Sequence, residues 1–380
     1  MNNKSQPEGI LPSGCDSRRW YSIRLLLGEK KMDIAKIDKN MLVPATVERT
    51  GLVWMDAEEQ PFRIYGVFRE GDYLRRMPGA VADRANEGVV YMHTNTAGGR
   101  VRFSTESPYI AIHAEMDCLG KMPYFNFTGS IGFDLMAGTR YLGTYCPPVD
   151  AEYGFESVVD VESDGVQTYT IHFPLYSNVK KLYIGLRGDC TLQVAPDYVV
   201  EKPVVYYGSS ITQGGCASRP GNAYENLLSS RLDCNHINLG FSGSARGEDA
   251  MAEYIAGLEM SAFIYDYDHN APTCDHLRQT HKAMFQRIRN AQPDLPVLML
   301  TRPKFHINQD EIERLNIVRA TYEEAVAQGD QNVYFIPGPE LLIPMARDTG
   351  LVDNSHPNDM GFVSMAQVIE PVLRKMLSLD

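Results

Sequence analysis

The sequence predicts two successive domains of different class, an all-β sandwich followed by an α/β domain on a mostly parallel sheet. Between about residues 60 and 195, short alternating or apolar runs are broken by turn residues with hardly a helical stretch between them, the pattern of a sandwich. Beyond Lys202-Pro203 the period changes. There an apolar strand followed by a helical pattern repeats several times, the signature of a parallel sheet with crossover helices. A chain of 380 residues also exceeds what one core usually serves, so the predicted partition is a flexible tail at 1–40, a sandwich at 41–200 and an α/β domain at 201–380.

The first thirty residues show no structural period. Their apolar run, Trp20 to Leu27, is too short and too interrupted by Arg for a signal peptide, and no small-residue cleavage site follows. Met32 is an alternative start to Met1. Strands are then expected at Phe62 to Phe68, Val89 to His93, Val101 to Ser104, Tyr109 to Ala114, Gly132 to Met136, Tyr141 to Tyr145, Ser157 to Val161, Thr168 to Phe173 and Lys181 to Leu186. Turns such as Ala97-Gly98-Gly99 and Asp164-Gly165 separate them, since hairpins need residues that accept positive φ. A jelly-roll-like module is the expectation.

In the second half, strands are expected at Val204 to Tyr207, Ile237 to Leu239, Phe263 to Asp266, Val297 to Leu300 and Val333 to Ile336. Helices are expected at Ala223 to Leu232, Asp249 to Leu258, Asp275 to Asn290, Gln309 to Gln328 and Asn358 to Leu379. Ligands in such folds bind beyond the carboxyl ends of the strands. Ser210 follows the first strand and His356 precedes the last helix, which puts both at that edge.

Composition narrows the partners. A formal net charge of −12 argues against nucleic acid, whose phosphates need clustered Lys and Arg. No stretch approaches the roughly 20 apolar residues of a membrane span, so the expectation is a soluble protein of the cytoplasm or periplasm. Cys15, Cys118, Cys146, Cys190, Cys216, Cys234 and Cys274 show no CxxC or Cys/His ligand spacing, and His93, His113 and His172 share none either. No metal site is read, and the thiols are expected to be mostly reduced core residues. The sequence carries no sign of oligomeric state.

The chemistry concentrates in a few blocks. Tyr207-Gly208-Ser209-Ser210-Ile211-Thr212-Gln213-Gly214 joins a strand to a glycine-bearing turn and exposes a serine hydroxyl, a candidate nucleophile if a base reaches it. Asp353-Asn354-Ser355-His356-Pro357 puts a carboxylate one turn before an imidazole, the spacing for a base and its orienter. A phosphate cradle is the rival for the serine loop, but neither GxGxxG nor GxxxxGK[ST] occurs. Asn238-Leu239-Gly240-Phe241-Ser242-Gly243-Ser244 offers backbone N–H donors, and Tyr265-Asp266-Tyr267-Asp268-His269-Asn270-Ala271-Pro272 offers the Asn270 amide. His269 beside Asp268 reads as a loop-stabilising hydrogen bond ahead of a second acid/base pair. Arg246 reads as a partner of Glu248 ahead of a contact to an anionic substrate.

In this order, the blocks resemble the SGNH, or GDSL-like, hydrolases over residues 203 to about 375. The resemblance implies a flavodoxin-like domain with Ser210 as nucleophile, His356 as base, Asp353 as its orienter, and Ser210, Gly243 and Asn270 as oxyanion donors. Two departures stand out: Ser209 replaces the usual Asp before the nucleophile, and Asp268-His269-Asn270-Ala271 stands where Gly-x-Asn-Asp is usual. The Gly-Ser-Ser-Ile-Thr variant resembles carbohydrate-deacetylating members more than lipases. Gly132-Phe133-Asp134-Leu135-Met136 is similar to the GxDLY motif of a sandwich module that precedes such hydrolases, with Met for Tyr, and Thr96 to Phe103 resembles a turn and strand of such modules. The implied activity is cleavage of a short acyl ester, an acetyl group on a carbohydrate foremost, through an acyl-enzyme on Ser210 with no metal or cofactor. The partner would be a small-molecule or carbohydrate ester. An acyltransferase using the same triad is the alternative within the class. A catalytically inactive carbohydrate-binding protein is the alternative outside it, against which the intact Ser210, Asp353 and His356 set speaks.

Overall fold

The computed structural model describes residues 38, 43, 46–162 and 164–379. The expected tail, apart from Asp38, lies outside them, as do the Trp20 to Leu27 run and Met32. The first half carries twelve strands among the described residues: β1 (Leu52–Asp56), β2 (Arg63–Tyr65), β3 (Phe68–Glu70), β4 (Tyr73–Arg75), β5 (Arg100–Thr105), β6 (Tyr109–Glu115), β7 (Phe133–Ala137), β8 (Arg140–Tyr145), β9 (Gly154–Asp160), β10 (Gln167–His172), β11 (Lys181–Arg187) and β12 (Leu192–Gln193). One antiparallel sheet runs β1-β11-β6-β9. The other runs β12-β5-β10-β7-β8, with β2 also paired to β5. Period-two alternation gives each sheet an apolar face, and the two faces share a core of Phe103, Ile112, Phe133, Leu135, Tyr169, Ile171 and Ile184.

Three sequence expectations change here. Val89 to His93 is not a strand but part of a helix at Glu87–Met92, which follows another at Gly79–Ala85. The Asn86 side chain accepts the Val89 N–H at 3.1 Å, and Val89 and Met92, three residues apart, turn inward while Tyr91 stays exposed. Capping and a helical period thus override the β propensity of Val89-Val90. The expected strand Phe62 to Phe68 is interrupted at Gly66, whose φ of 75° turns the chain between β2 and β3. Leu52–Asp56, not foreseen, is an edge strand that pairs with β11.

The second half places β13 (Val200–Gly208), β14 (Cys234–Gly240), β15 (Ala262–Asp266), β16 (Val297–Leu300) and β17 (Val333–Ile336) in one parallel sheet, ordered β14-β13-β15-β16-β17. That order reverses direction at β13, the flavodoxin-like switch point. Helices at Ser210–Gln213, Tyr224–Leu232, Asp249–Ala256, Cys274–Ala291, Gln309–Ala327 and Asp359–Met376 connect or follow the strands. Helices on both faces explain the unbroken apolar run in β13. Val205 and Tyr207 enter one core with Phe263 and Met284, while Val204 and Tyr206 enter another with Leu228 and Ile369.

Residues 43–380 form one compact unit, and buried polar links join its two halves. Arg76, at the end of β4, donates to the carbonyls of Gly240 at 2.6 Å and Met92 at 2.8 Å. Asp134 of the Gly132 to Met136 motif is fully buried, accepts from His172 Nδ1 at 2.9 Å and Gly221 N–H at 3.0 Å, and pairs with Arg219. Arg219 also lies over the Tyr141 ring. The six described cysteines are free thiols.

Candidate active site

The turn after β13 is built around two close approaches. A side chain at Gly208 would collide with Asp266 Oδ1 and Thr212, and one at Gly240 would collide with the backbone of Thr212 and Gln213. Glycine at both positions lets β13, β14 and the following turn draw together. Ser209 then caps the short helix, its Oγ accepting the Ile211 N–H at 3.1 Å, and Ser210 takes the first helical position. An N–H there has no intrahelical acceptor. Gly214, at φ 93°, ends the helix after one turn.

The Asp353 to His356 segment is a tight loop ahead of the last helix. Asp353 Oδ1 accepts the N–H groups of Ser355 at 3.1 Å and His356 at 2.8 Å, while Val352 N–H bonds back to His356 O at 2.8 Å. Asn354 takes φ 66° at the bend, a conformation asparagine tolerates. Asn358 caps the helix through Gly361 N–H. This folding aims the imidazole at β13: His356 Nε2 lies 2.8 Å from Ser210 Oγ, and His356 Nδ1 lies 2.8 Å from Asp353 Oδ2.

The distances suit a relay in which Nδ1–H donates to Asp353 and Nε2 accepts from the serine hydroxyl. Burial acts to raise the Asp353 carboxyl, but the hydrogen bonds from the His356 and Ser355 backbone and from the imidazole, with its charge, hold it below the usual carboxylate range. The acid is therefore ionised at neutral pH and able to stabilise an imidazolium beside it.

Ser210, His356 and Asp353 are thus brought into one hydrogen-bonded line across 146 residues of sequence. Gly243 and Asn270 lie past the carboxyl ends of β14 and β15, the two neighbours of β13, where Gly208 is level with Gly240 and Asp266. Gly243 is exposed with φ 66°, and Asn270 Nδ2 donates to Phe241 O at 3.2 Å, tying the two loops together. Among the described residues, neither the Ser210 nor the Gly243 N–H donates to a protein acceptor.

His269 makes a 3.3 Å contact from Nδ1 to Asp268, and burial lowers its pKa, so the ring is neutral in a loop also held by Arg314 Nη1 on Asp268 O and Ala271 O. Arg246 differs from expectation. Its backbone N–H, not its guanidinium, reaches Glu248, while Nη2 donates to Gly243 O at 3.2 Å; Glu248 is engaged by the Tyr207 hydroxyl and Asn86.

The sequence assigned no role to four residues at the site. Asp266, buried at the end of β15, accepts Ser209 N–H at 3.2 Å and the Thr212 hydroxyl at 2.6 Å. Gln213 accepts Ser242 N–H at 3.0 Å and donates to Asn95 and Leu175 O of the first half. Tyr176 donates to Ser210 O at 3.1 Å, and the Phe125 ring meets the His356 ring at 6.2 Å. Phe125 and Tyr176 sit in apolar runs with no chemical signal. Only the chain's path brings them here.

Comparisons with known proteins find matches to both halves of the chain. Residues 201–374 match the profile of the GDSL-like lipase/acylhydrolase family, and residues 52–192 match that of the N-terminus of SGNH-hydrolase-type esterases. A search of curated sequences gave no match. Among solved structures, a protein described as a GDSL-like lipase from Bacteroides ovatus is 28% identical, with a TM-score of 0.77 over 87% of this chain and 99% of its own. The salicylyl-acyltransferase SsfX3 from a tetracycline biosynthetic pathway is 18% identical, with a TM-score of 0.71 over 88% of this chain and 100% of its own. A family two carbohydrate esterase from Clostridium thermocellum, solved with cellohexaose, is 15% identical, with a TM-score of 0.57 over 76% and 95%. The last two share the fold. One profile covers most of the sandwich half and the other most of the α/β half, so the chain carries the N-terminal module of SGNH-hydrolase-type esterases followed by a GDSL-like lipase/acylhydrolase domain, and it is an SGNH-type serine hydrolase.

Proposed function

We propose that this hydrolase cleaves short acyl esters, an acetyl group on a carbohydrate foremost, through an acyl-enzyme on Ser210. The observation that carries the reading is the unbroken line from Ser210 Oγ to His356 Nε2 and from His356 Nδ1 to Asp353, each contact 2.8 Å. His356 takes the serine proton as Oγ attacks the ester carbonyl, and Asp353 holds the ring in the tautomer this requires. The oxyanion that forms is received by the N–H groups of Ser210 and Gly243 and by the second amide hydrogen of Asn270, each worth on the order of 3 kcal/mol when preorganised. The protonated ring then passes its proton to the leaving alcohol, and water, activated by the same ring, releases the acid. Apart from the ester and water, the groups in these steps are side chains and backbone of the chain itself. Carbohydrate is supported by the Gly208-Ser209-Ser210-Ile211-Thr212 block and by a fold shared with carbohydrate esterases.

The test is labelling by a fluorophosphonate and hydrolysis of 4-nitrophenyl acetate by the wild type and Ser210→Ala. The wild type is expected to take one label on Ser210 and the variant to lose at least 10³-fold in kcat. A variant that keeps full activity sinks the assignment. Competing acceptor alcohols in the wild-type reaction separate hydrolysis from acyl transfer by product.

A further inference from the structure

The sandwich half reaches the Ser210 site through two aromatic rings. Phe125 and Tyr176 pack with centroids 4.6 Å apart; Tyr176 is buried, and Phe125 is partly exposed. Phe125 stands edge-to-face against His356, with an interplanar angle of 76°. A Cβ at Gly215 would lie 2.9 Å from the Tyr176 hydroxyl and 3.2 Å from Phe125 Cζ, so the turn after Ser210 is glycine where the rings arrive. Hydrogen bonds around them fix their placement. Tyr176 N–H donates to Ser130 O at 3.2 Å, Gly120 N–H to Ser177 Oγ at 3.0 Å, and Thr128 Oγ1 to Ser218 O at 2.5 Å.

The direction of the chemistry tells which part of a substrate these rings meet. In ester cleavage by a serine and a base, the protonated base hands its proton to the leaving oxygen, so the alcohol departs along the imidazole side. The oxyanion donors come from other loops, past β13, β14 and β15. A ring packed against His356 therefore borders the leaving alcohol. We propose that Phe125, held in place by Tyr176, is a specificity-determining residue that contacts the carbon frame of the leaving alcohol and favours a ring-bearing alcohol over a short open one. The inference rests on the reading of Ser210 and His356 as nucleophile and base.

The experiment measures kcat/KM by proton release for cyclohexyl acetate, ethyl acetate and ethyl butyrate with the full-length wild type, Phe125→Ala and Phe125→Tyr. Phe125→Ala is expected to lower the cyclohexyl-to-ethyl ratio roughly tenfold, the scale of a lost apolar contact, with the acetate-to-butyrate ratio unchanged. Phe125→Tyr is expected to keep the wild-type ratios. An unchanged or raised cyclohexyl-to-ethyl ratio in Phe125→Ala with wild-type melting overturns the proposal, as does a change confined to the acyl series. Should Phe125→Ala fail to fold, Phe125→Leu is read by the same ratio. Fluorophosphonate labelling of the wild type separates the two levels: no label on Ser210 defeats the mechanism, whereas a labelled enzyme with unaltered ratios defeats only the role of Phe125.

Discussion

Replacing Asp266 by Asn tests whether the turn that carries Ser210 rests on a protonated acid. Asp266 is 1% exposed, and its Oδ1 takes the Ser209 N–H and Thr212 hydroxyl bonds while Oδ2 finds no partner among the described residues. Burial pushes its pKa up to about 8, aided by the nearby Asp268 charge and opposed by the Thr212 and Ser209 hydrogen bonds. In the unfolded chain the same acid titrates near 3.9. Between those values the folded state holds a proton that the unfolded state has released, so stability falls as pH rises, by about 1.4 kcal/mol per unit. At pH 7 the accumulated cost is about 4 kcal/mol relative to pH 4. Asparagine keeps the accepting oxygen and has no proton to lose, so this slope disappears. For a folded unit of this size, 1 kcal/mol moves Tm by roughly 1–2 °C. Calorimetric melting of both proteins at pH 5, 6, 7 and 8 should therefore show Asp266→Asn gaining on the wild type by about 1.5–3 °C per unit up to pH 7, then levelling near pH 8. Parallel curves would refute the reasoning, because they would mean that Asp266 is ionised in the fold.

Three further outcomes follow from the same geometry. Asp353→Asn keeps the loop but favours the wrong imidazole tautomer, and kcat on 4-nitrophenyl acetate should fall by about 10⁴ with KM little changed. Asn270→Ala removes one proposed oxyanion donor, and steady-state kinetics should show a loss in kcat of about 10²–10³. Asp134→Ala strands the His172 and Arg219 partners in a buried site, so denaturant unfolding should show a loss of about 3–5 kcal/mol; a loss below 1 kcal/mol would mean that the contact between the halves is not structural.

The parallel sheet was legible because its central strands β13, β15 and β16 carry apolar runs buried on both faces, as in Val204 to Tyr207, and because helical periods such as Asp275 to Asn290 separate the runs. Val89 to His93 misled because β-branched residues were read by propensity. The Asn86 cap and the inward spacing of Val89 and Met92 are settled by what lies beneath them.

At the site, sequence alone named Ser210, Asp353 and His356. Their chemistry is local to short blocks, and Asp353 and His356 are one turn apart. It also ordered Gly243 and Asn270 into loops that the sheet places beside Ser210, since parallel strands deliver successive loops to one edge. Only the tertiary structure decided that Arg246 reaches Gly243 O and not Glu248, that a buried Asp266 braces Ser209, and that Phe125 and Tyr176 of the sandwich half stand against His356 and Ser210. Apart from the Arg246 contact, which is local, those contacts join residues tens to more than two hundred positions apart. Their side chains carry no pattern of their own, and the packing of two cores in one unit brings them together.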